Sequence, residues 1–252
     1  MPALFIGHGS PMNAVENNRY SQAWRRVGKT LPRPEAIVVV SAHWYASGVA
    51  VAAMPHPRTI HDFYGFPPEL HAMRYPAPGS PELAARVAEL TAPVDANLDF
   101  AWGLDHGAWS VLVHLFPEAD IPVVQLAIDA RQPAGFHWDL GAALAPLREQ
   151  GVLILGSGNI VHNLRLVDFG EPGGYDWAVR FDEYARAAIE AGDRDALVSY
   201  ERHPDGKLAV PTPEHYLPLL YAAAQRRPGE AVTTLVEGME AGSLSMRSVR
   251  IG

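Results

Sequence analysis

Two uninterrupted runs of aliphatic residues constrain the fold of this chain more than any other feature. They are Ile37-Val38-Val39-Val40 and Val152-Leu153-Ile154-Leu155. Strands that are covered on both faces have no polar side, so continuous runs of this kind are typical of a sheet buried between two layers. The runs therefore predict an α/β fold with a mainly parallel central sheet and helices on both faces.

Further strands and helices are predicted on either side of these runs. Strands are expected at residues 3–6, 36–41, 49–53, 122–127, 152–155 and 232–237, with an edge strand at residues 245–251. Helices are expected at residues 82–90, 108–115, 141–149, 177–191 and 214–225, where apolar residues recur at spacings of three and four. No repeat, linker or shift in composition marks a boundary, so we expect one catalytic domain over residues 1–252.

Two loops interrupt this alternation. Residues 54–80 contain six prolines, with Phe63, Tyr64 and Phe66 between them. A loop of that length inside a compact domain is usually functional. The second loop, residues 169–175, is rich in glycine and proline.

Composition excludes several classes of protein. A net charge of −8 argues against a nucleic-acid-binding surface, which needs a basic patch. The absence of cysteine excludes disulfides, thiolate ligands and a cysteine nucleophile. The apolar N-terminal stretch is too short for a signal peptide, and no apolar run is long enough to span a membrane. We expect a cytoplasmic protein without nucleic-acid or membrane partners.

Two of the eleven histidines directly follow predicted strands. His8 lies in Gly7-His8-Gly9 and His43 in Ser41-Ala42-His43-Trp44. In open α/β sheets ligands bind beyond the carboxyl ends of the strands, and neutral imidazole is a common ligand for zinc and iron. Either histidine alone is explained at least as well by a hydrogen bond to a backbone carbonyl.

Two later segments bring further candidates. Glycines end the predicted strand at residues 152–155, and a helical turn that carries His162 is expected to follow. Near the C-terminus, prolines precede a predicted helix whose start bears Glu214 and His215. Glu214 by itself is an ordinary first-turn helix acid, favoured by the macrodipole. Imidazoles delivered to one sheet edge from distant parts of the chain predict a single metal site, and so a metalloenzyme.

Five motifs resemble those of a known family. They are GHGSPM at residues 7–12, SAHW at 41–44, LDHGAW at 104–109, GSGNIVHN at 156–163 and TPEHY at 212–216. Together they resemble the DOPA-dioxygenase-type branch of the class III extradiol ring-cleavage dioxygenases. The resemblance runs in the same order from residue 4 to about residue 224.

The resemblance implies an enzyme that opens the ring of a catechol, DOPA-like or related, with dioxygen. It implies one divalent non-haem metal, usually Fe(II) and sometimes Zn(II), with His8, His43 and His215 as ligands. By the same resemblance His162 either completes the coordination or acts as the acid/base, and His106 is a further pocket residue that contacts substrate or dioxygen.

One departure from the wider superfamily bears on the metal. Its protocatechuate-cleaving members use two histidines and a glutamate, the facial triad typical of Fe(II) oxygenases. Here the third position matches His215, with Glu214 adjacent. An all-histidine site is less anionic and accommodates zinc well, so iron and zinc both remain open.

Two other functions remain open from the sequence. A zinc hydrolase would use the same histidines to lower the pKa of a bound water, and a non-catalytic relative would bind a metal or a partner. Loop 54–80 is expected to cover the substrate, with Phe63, Tyr64 and Phe66 as ring contacts, or else to pack onto the body. The remaining histidines are expected on the surface or in loops: His56, His61, His71, His114, His137 and His203.

Overall fold

Eight strands form one sheet in the order β4-β3-β5-β2-β6-β1-β10-β7. The computed structural model describes residues 1–171 and 173–252; Pro172, in the predicted loop 169–175, lies outside the described residues. The strands are β1 (Ala3–Gly7), β2 (Ala36–Ala46), β3 (Ala50–Ala52), β4 (Asn97–Asp99), β5 (Val123–Asp129), β6 (Val152–Gly158), β7 (Val232–Val236), β8 (Met239–Glu240), β9 (Leu244–Ser245) and β10 (Ser248–Ile251). Strands β8 and β9 form a separate hairpin.

Ten α-helices connect and cover these strands within the described part of the chain. They are α1 (Arg19–Thr30), α2 (Pro68–Ala72), α3 (Pro81–Leu90), α4 (His106–Leu115), α5 (Ala134–Ala143), α6 (Ala145–Glu149), α7 (Asp176–Ala191), α8 (Arg194–Val198), α9 (Gly206–Ala209) and α10 (Leu217–Ala223). Helix α3 begins one residue before the predicted residue 82, with the Ser80 hydroxyl accepting the backbone N–H of Leu83 and Pro81 at the first helical position.

The centre of the sheet is parallel. Strands β5, β2, β6 and β1 are parallel neighbours, whereas β10 is antiparallel to both β1 and β7. Alternate residues of each strand enter different cores. Phe5 and Val38 face the core that contains residues of α5, α7 and α10, and Leu4 and Ile37 face the core formed with α1 and α4. The predicted α/β fold, with helices on both faces, is confirmed.

The last strand is not the predicted edge strand. Strand β10 covers only Ser248–Ile251 and lies between β1 and β7, so the edge of the sheet is β7. Three of its four residues are buried. The sequence pattern identified a strand here but could not place it, because pairing order depends on contacts with residues distant in sequence.

Two helix predictions were wrong in their bounds. The segment predicted as one helix at 141–149 is the end of α5 followed by α6, because Pro146 at the start of α6 cannot continue the preceding helix. The helix predicted at 214–225 begins only at Leu217, so Glu214 and His215 lie in the turn before it. Helix α1 was not predicted, although Asn18 caps it through the backbone N–H groups of Tyr20 and Ser21.

Candidate metal centre

His8 is placed by the strand that precedes it. Strand β1 ends at Gly7, and the backbone N–H of His8 donates to the carbonyl of Gly158 at the end of the neighbouring parallel strand (3.0 Å). A Cβ on Gly7 would lie 2.8 Å from the backbone oxygen of Arg247, so only glycine fits there. The His8 side chain therefore leaves the carboxyl edge of the sheet from a rigid position.

His43 lies within a strand and not after one. Strand β2 continues to Ala46, and its pairing with β5 shifts register between Val40 and Tyr45. Bulges of this kind bend a strand and are common beside active sites, where they redirect a side chain. The predicted end of this strand at residue 41 was too early, because the bulge interrupts the apolar pattern without ending the strand.

His215 reaches the same edge from a turn. Its backbone carbonyl accepts the N–H of Asn159 (2.8 Å), just after β6 ends. Gly158 makes this approach possible, since a Cβ there would overlap the His215 carbonyl oxygen. The turn is held to the sheet by backbone contacts, which explains how a non-helical segment fixes a side chain.

Ring nitrogens of His8, His43 and His215 converge, all within 4.8 Å of one another. The Nε2 atoms of His8 and His43 lie 3.3 Å apart. The Ser157 hydroxyl donates to the carbonyl of Gly107 (2.6 Å), so its oxygen accepts the Nδ1–H of His8 (2.9 Å). That bond leaves the lone pair of His8 Nε2 directed at the centre.

The same tautomer is favoured at His215. Its Nδ1 lies 3.1 Å from Glu214 Oε1, which also accepts the Thr212 hydroxyl (2.8 Å). A carboxylate can only accept, so Nδ1 carries the proton and Nε2 is free. Lone pairs on facing buried nitrogens repel each other unless a cation lies between them. The donor set therefore fits a divalent metal such as Zn(II) or Fe(II).

Burial keeps these imidazoles neutral. It lowers the pKa of His8 and of His215 well below the ordinary histidine value, and neighbouring histidines lower it further. Burial, then the nearby His106, lowers the pKa of His43 to about 3. At neutral pH each ring is uncharged and keeps the lone pair that metal ligation requires.

His162 lies against the centre in a different way. Its ring stacks on that of His215, with the centroids 3.5 Å apart and the planes 9° apart. The expected helical turn is absent at this position, since His162 pairs with Leu244 of the β8–β9 hairpin in an isolated bridge. Burial lowers the pKa of His162 to about 4.

His106 lies at the opposite side of His43, with ring centroids 3.8 Å apart. It is the first residue of α4. Asp62 lies beside it: Oδ1 accepts the His106 backbone N–H (2.9 Å), and Oδ2 is 2.9 Å from His106 Nδ1, at an angle outside hydrogen-bond geometry. Burial tends to raise the pKa of Asp62, but the His106 contacts outweigh it and hold that pKa below its usual range.

Asp62 was missed by the sequence analysis. It stands in loop 54–80 directly before Phe63, and a carboxylate in a long loop carries no signal of which element it will meet. Asp105, at the N-cap of α4, was missed too. Its carboxylate accepts Ser41 Oγ (2.6 Å) and the side-chain amide of Gln125, and burial raises its pKa. This buried group ties α4 to β2 beneath the centre.

The converging histidines open onto a cavity of about 920 Å³. His106 and His162 line it together with the three converging histidines. Most of its wall is apolar, including Phe63, Phe66, Leu164, Val167, Phe169, Met239 and Leu244. Such a cavity has the size and polarity of a site for a small organic molecule.

Loop 54–80 contributes only part of what was expected. Phe63 and Phe66 line the cavity and meet edge to face, 5.4 Å apart. Tyr64 is 94% exposed and does not line it, so that predicted ring contact was wrong. The alternative also holds in part, because Phe63 packs into the core formed with α1 and α4.

Two histidines without an assigned function are buried, contrary to expectation. His114 lies on α4 and His137 on α5, and each is at most 5% exposed. His114 donates to the carbonyl of Asn13 (2.7 Å), and His137 contacts the Tyr221 hydroxyl (2.9 Å). Of the histidines left unassigned, none lines the cavity.

Comparisons with known proteins agree with the motifs. Residues 2–242 match the family described as "Catalytic LigB subunit of aromatic ring-opening dioxygenase". The chain is 54% identical to "4,5-DOPA dioxygenase extradiol" of Escherichia coli (strain K12), over 100% of this chain and 95% of that protein. It is 42% identical to "4,5-DOPA dioxygenase extradiol" of Beta vulgaris, over 86% and 83% of the two chains.

A solved structure agrees as well. The crystal structure of an uncharacterized protein from Escherichia coli K12 superposes with a TM-score of 0.89, at 50% identity and covering 100% of both chains. None of the helices in the described residues is long and apolar enough to cross a bilayer. The resemblance inferred from the five motifs is confirmed: this chain belongs to the family of the catalytic LigB subunit of aromatic ring-opening dioxygenases.

Proposed function

We propose that this protein is a metal-dependent extradiol dioxygenase that opens the ring of a catechol, DOPA-like or related, with dioxygen. One observation carries the proposal. Two buried imidazoles and one partly buried imidazole, all neutral, bring ring nitrogens together in the wall of an apolar cavity, with His8 Nε2 and His43 Nε2 3.3 Å apart. The names of the two relatives support the same chemistry.

His8, His43 and His215 would hold one divalent metal. His162 is close enough to join them or to act on the substrate, since it stacks on His215. Fe(II) is the ion proposed for activity and Zn(II) the ion that the same donor set also accepts. When bound, Fe(II) supplies a Lewis acid for the catechol oxygens and a path for electrons between the ring and dioxygen.

The walls of the cavity would orient the ring. Phe63 and Phe66 line the cavity and stand edge to face against each other. Aromatic side chains prefer offset or edge-to-face contacts with another ring, so this corner favours a flat substrate. Exclusion of water by the same apolar wall strengthens the polar contacts near the metal.

Two histidines outside the ligand set are proposed to be catalytic. Neutral His162 would accept a phenolic proton at Nδ1 or Nε2 and return it after ring opening, since a neutral imidazole suits that task near pH 7. His106 would contact substrate or dioxygen. Asp62 would fix its position by holding its backbone N–H and facing its Nδ1.

A zinc hydrolase would need a free carboxylate to act as base on a bound water. Three carboxylates lie near the centre, and each is engaged. Asp62 accepts the backbone N–H of His106, and Asp105 accepts from Ser41 and Gln125. Glu214 is bonded to His215 and Thr212. Zinc-dependent hydrolysis of esters or amides would favour that function, and metal binding without any turnover would favour a non-catalytic relative.

We also propose that residues 1–252 act as one catalytic domain in the cytoplasm on a small aromatic diol. The single eight-stranded sheet, which takes strands from both ends of the chain, supports the first point. A chain without cysteine is compatible with a reducing compartment.

The test is Fe(II) reconstitution without oxygen, followed by oxygen uptake across a panel of catechols. The expected result is stoichiometric oxygen consumption with a new absorbing ring-opened product. The Zn(II)-loaded protein and His43→Ala are the matched controls and should consume no oxygen. If the Fe(II) protein consumes none with any catechol, the proposed function is wrong.

A further inference from the structure

The cavity is lined by charged residues as well as by the histidines and the apolar wall. Arg19 is the one arginine or lysine among its described lining residues, and Glu16, Glu171 and Glu240 are the carboxylates. An enzyme that needed only a catechol ring would gain nothing from charges here, because the ring and its hydroxyl groups are satisfied by the metal centre and the apolar wall.

Arg19 is fixed in place but keeps free donors. Its guanidinium lies over the Tyr20 ring, 4.6 Å from the centroid, and one nitrogen donates to the Tyr20 hydroxyl. It also passes close to Gly238, where a Cβ would lie 2.6 Å from Nη2. Arg19 lines the cavity, and within the described residues it forms no ion pair with a carboxylate. A guanidinium held in this way suits a carboxylate ligand.

Glu240 is the complementary group. It is partly buried, and among the described residues no side chain or backbone N–H donates to its carboxylate. Burial raises the pKa of Glu240; the Arg19 charge opposes this, and the Glu16 charge adds to it. Glu16 and Glu171 differ from Glu240, because each accepts a hydrogen bond from a residue close in sequence. Asn18 Nδ2 donates to Glu16 (3.2 Å), and the backbone N–H of Gly173 donates to Glu171 (3.1 Å).

Arg19 and Glu240 are each connected to the histidines by a few hydrogen bonds or strand pairings. Asn13 Nδ2 donates to the carbonyl of His8 (3.0 Å), and Asn18 Nδ2 donates to Asn13 Oδ1 (2.6 Å). Asn18 is the N-cap of α1, whose first residue is Arg19.

On the other side, Glu240 pairs with Leu244 in the β8–β9 hairpin, and Leu244 pairs with His162. Hydrogen bonds and strand pairing thereby fix the backbone positions of Arg19 and Glu240 relative to the histidines.

We propose that Arg19 and Glu240 form a subsite for a zwitterionic side chain on the substrate, with Arg19 binding its carboxylate and Glu240 its ammonium group. This inference rests on the proposed function and adds to it the residues that select the substrate. An aromatic amino acid with a catechol ring would meet both sets of lining residues at once, with its diol at the histidines and its α-amino acid group between the two charges.

The experiment uses four catechols with the same ring and different substituents. DOPA carries both charges, 3,4-dihydroxyphenylpropionate the carboxylate, dopamine the ammonium group, and 4-methylcatechol neither. Arg19→Gln and Glu240→Gln are the variants, because glutamine keeps length and polarity without charge. Arg26→Gln and Glu82→Gln, both exposed and outside the cavity, are the matched controls.

Specificity is read as a ratio within each protein. In Arg19→Gln, kcat/KM for the propionate relative to 4-methylcatechol should fall about tenfold or more, with the dopamine ratio unchanged. In Glu240→Gln the dopamine ratio should fall and the propionate ratio should not. The ratio of kcat/KM for DOPA to that for 4-methylcatechol should fall in both variants. Equal ratios in wild-type protein and variants, or an equal loss with every catechol, would overturn the subsite.

Binding separates this proposal from the proposed function. Calorimetric titration of the same four compounds into the Zn(II)-loaded protein measures Kd without turnover. The ratios of Kd should change in the same pattern. If no catechol is cleaved but these ratios change as stated, the subsite stands and the dioxygenase proposal falls. If the ratios of Kd do not change, the subsite is wrong whatever the turnover shows.

Discussion

Three histidines at the sheet edge and one on α5 differ in what their ring nitrogens contact, although burial lowers the pKa of each. The first three are His8, His43 and His215, and the fourth is His137. His137 contacts the Tyr221 hydroxyl and packs between Phe136 and Tyr221. The sheet-edge histidines direct ring nitrogens at one another. Burial and a low pKa therefore do not mark a site, whereas convergence of free nitrogens does.

The largest expected difference between the two groups is in metal content. His8→Ala and His43→Ala should lose stoichiometric metal and, with it, all measurable ring cleavage, because each removes a converging nitrogen. His137→Phe should keep one metal per chain. Elemental analysis of the purified proteins makes the comparison. Full metal in both alanine variants would remove the distinction between the groups.

The next largest effect should separate ligands from proton carriers. His162→Ala should keep its iron and lose about a hundred- to ten-thousand-fold in turnover, the usual contribution of general acid–base catalysis. His106→Ala and Asp62→Asn should weaken the apparent affinity for catechol or dioxygen with a smaller loss of kcat. Steady-state kinetics with iron measured in each variant decides this.

Two results would contradict these roles. If His162→Ala loses its iron, His162 belongs with the ligands and the proton would pass through His106. If His162→Ala and His106→Ala both turn over normally with iron bound, neither residue is catalytic.

A smaller effect concerns stability against pH. The pKa of His137 is lowered to about 4, against about 6.5 in the unfolded chain, so between these values the unfolded state binds more protons. The free energy of unfolding should therefore fall as pH decreases from about 6.5 to about 4, by at most about 1.4 kcal/mol per pH unit for this histidine.

His137→Phe is the variant that checks this dependence. Urea unfolding of the metal-loaded protein at several pH values in that interval should show a shallower slope in His137→Phe than in the wild type. An identical slope in the two proteins would mean that His137 does not protonate on unfolding.

The smallest effect should follow removal of the metal. A core of this size does not depend on one ion, so chelation should leave the circular dichroism spectrum unchanged. The melting temperature should drop by roughly 2–4 °C per kcal/mol of lost binding energy, since the ion binds only the native state. If chelation unfolded the whole protein at room temperature, the metal centre would be structural and would, like His137, serve the stability of the fold.

The parts of the fold that the sequence predicted are those that local patterns determine. The apolar runs in β2 and β6 predict buried parallel strands, because both faces of each strand are apolar. The position of β10 inside the sheet could not be predicted, because pairing order is decided by the register with β1 and β7. Helix α5 was placed too late, since apolar residues around its circumference leave no clear stripe to mark where it begins.

The candidate site divides in the same way. His8 and His43 could be predicted because they stand next to strand signals, and His162 and His215 because of the motifs around them. Asp62 and Asp105 meet the site only through tertiary contacts, with His106 and with Ser41 and Gln125. The break that the β2 bulge makes in the apolar pattern could not be told from the end of a strand, and the exposure of Tyr64 carried no signal in the sequence.

Much of the apolar cavity wall lies on other parts of the backbone than the converging histidines. His8 directly follows β1 and His43 lies in β2, whereas Phe63, Leu164 and Glu240 belong to a loop, a short turn and a hairpin. A substitution in the wall can change which ring or side chain is admitted without moving a ligand nitrogen. The residues that would select the substrate and those that would hold the metal are thus largely different. Substrate preference can therefore change between relatives while the metal chemistry is kept.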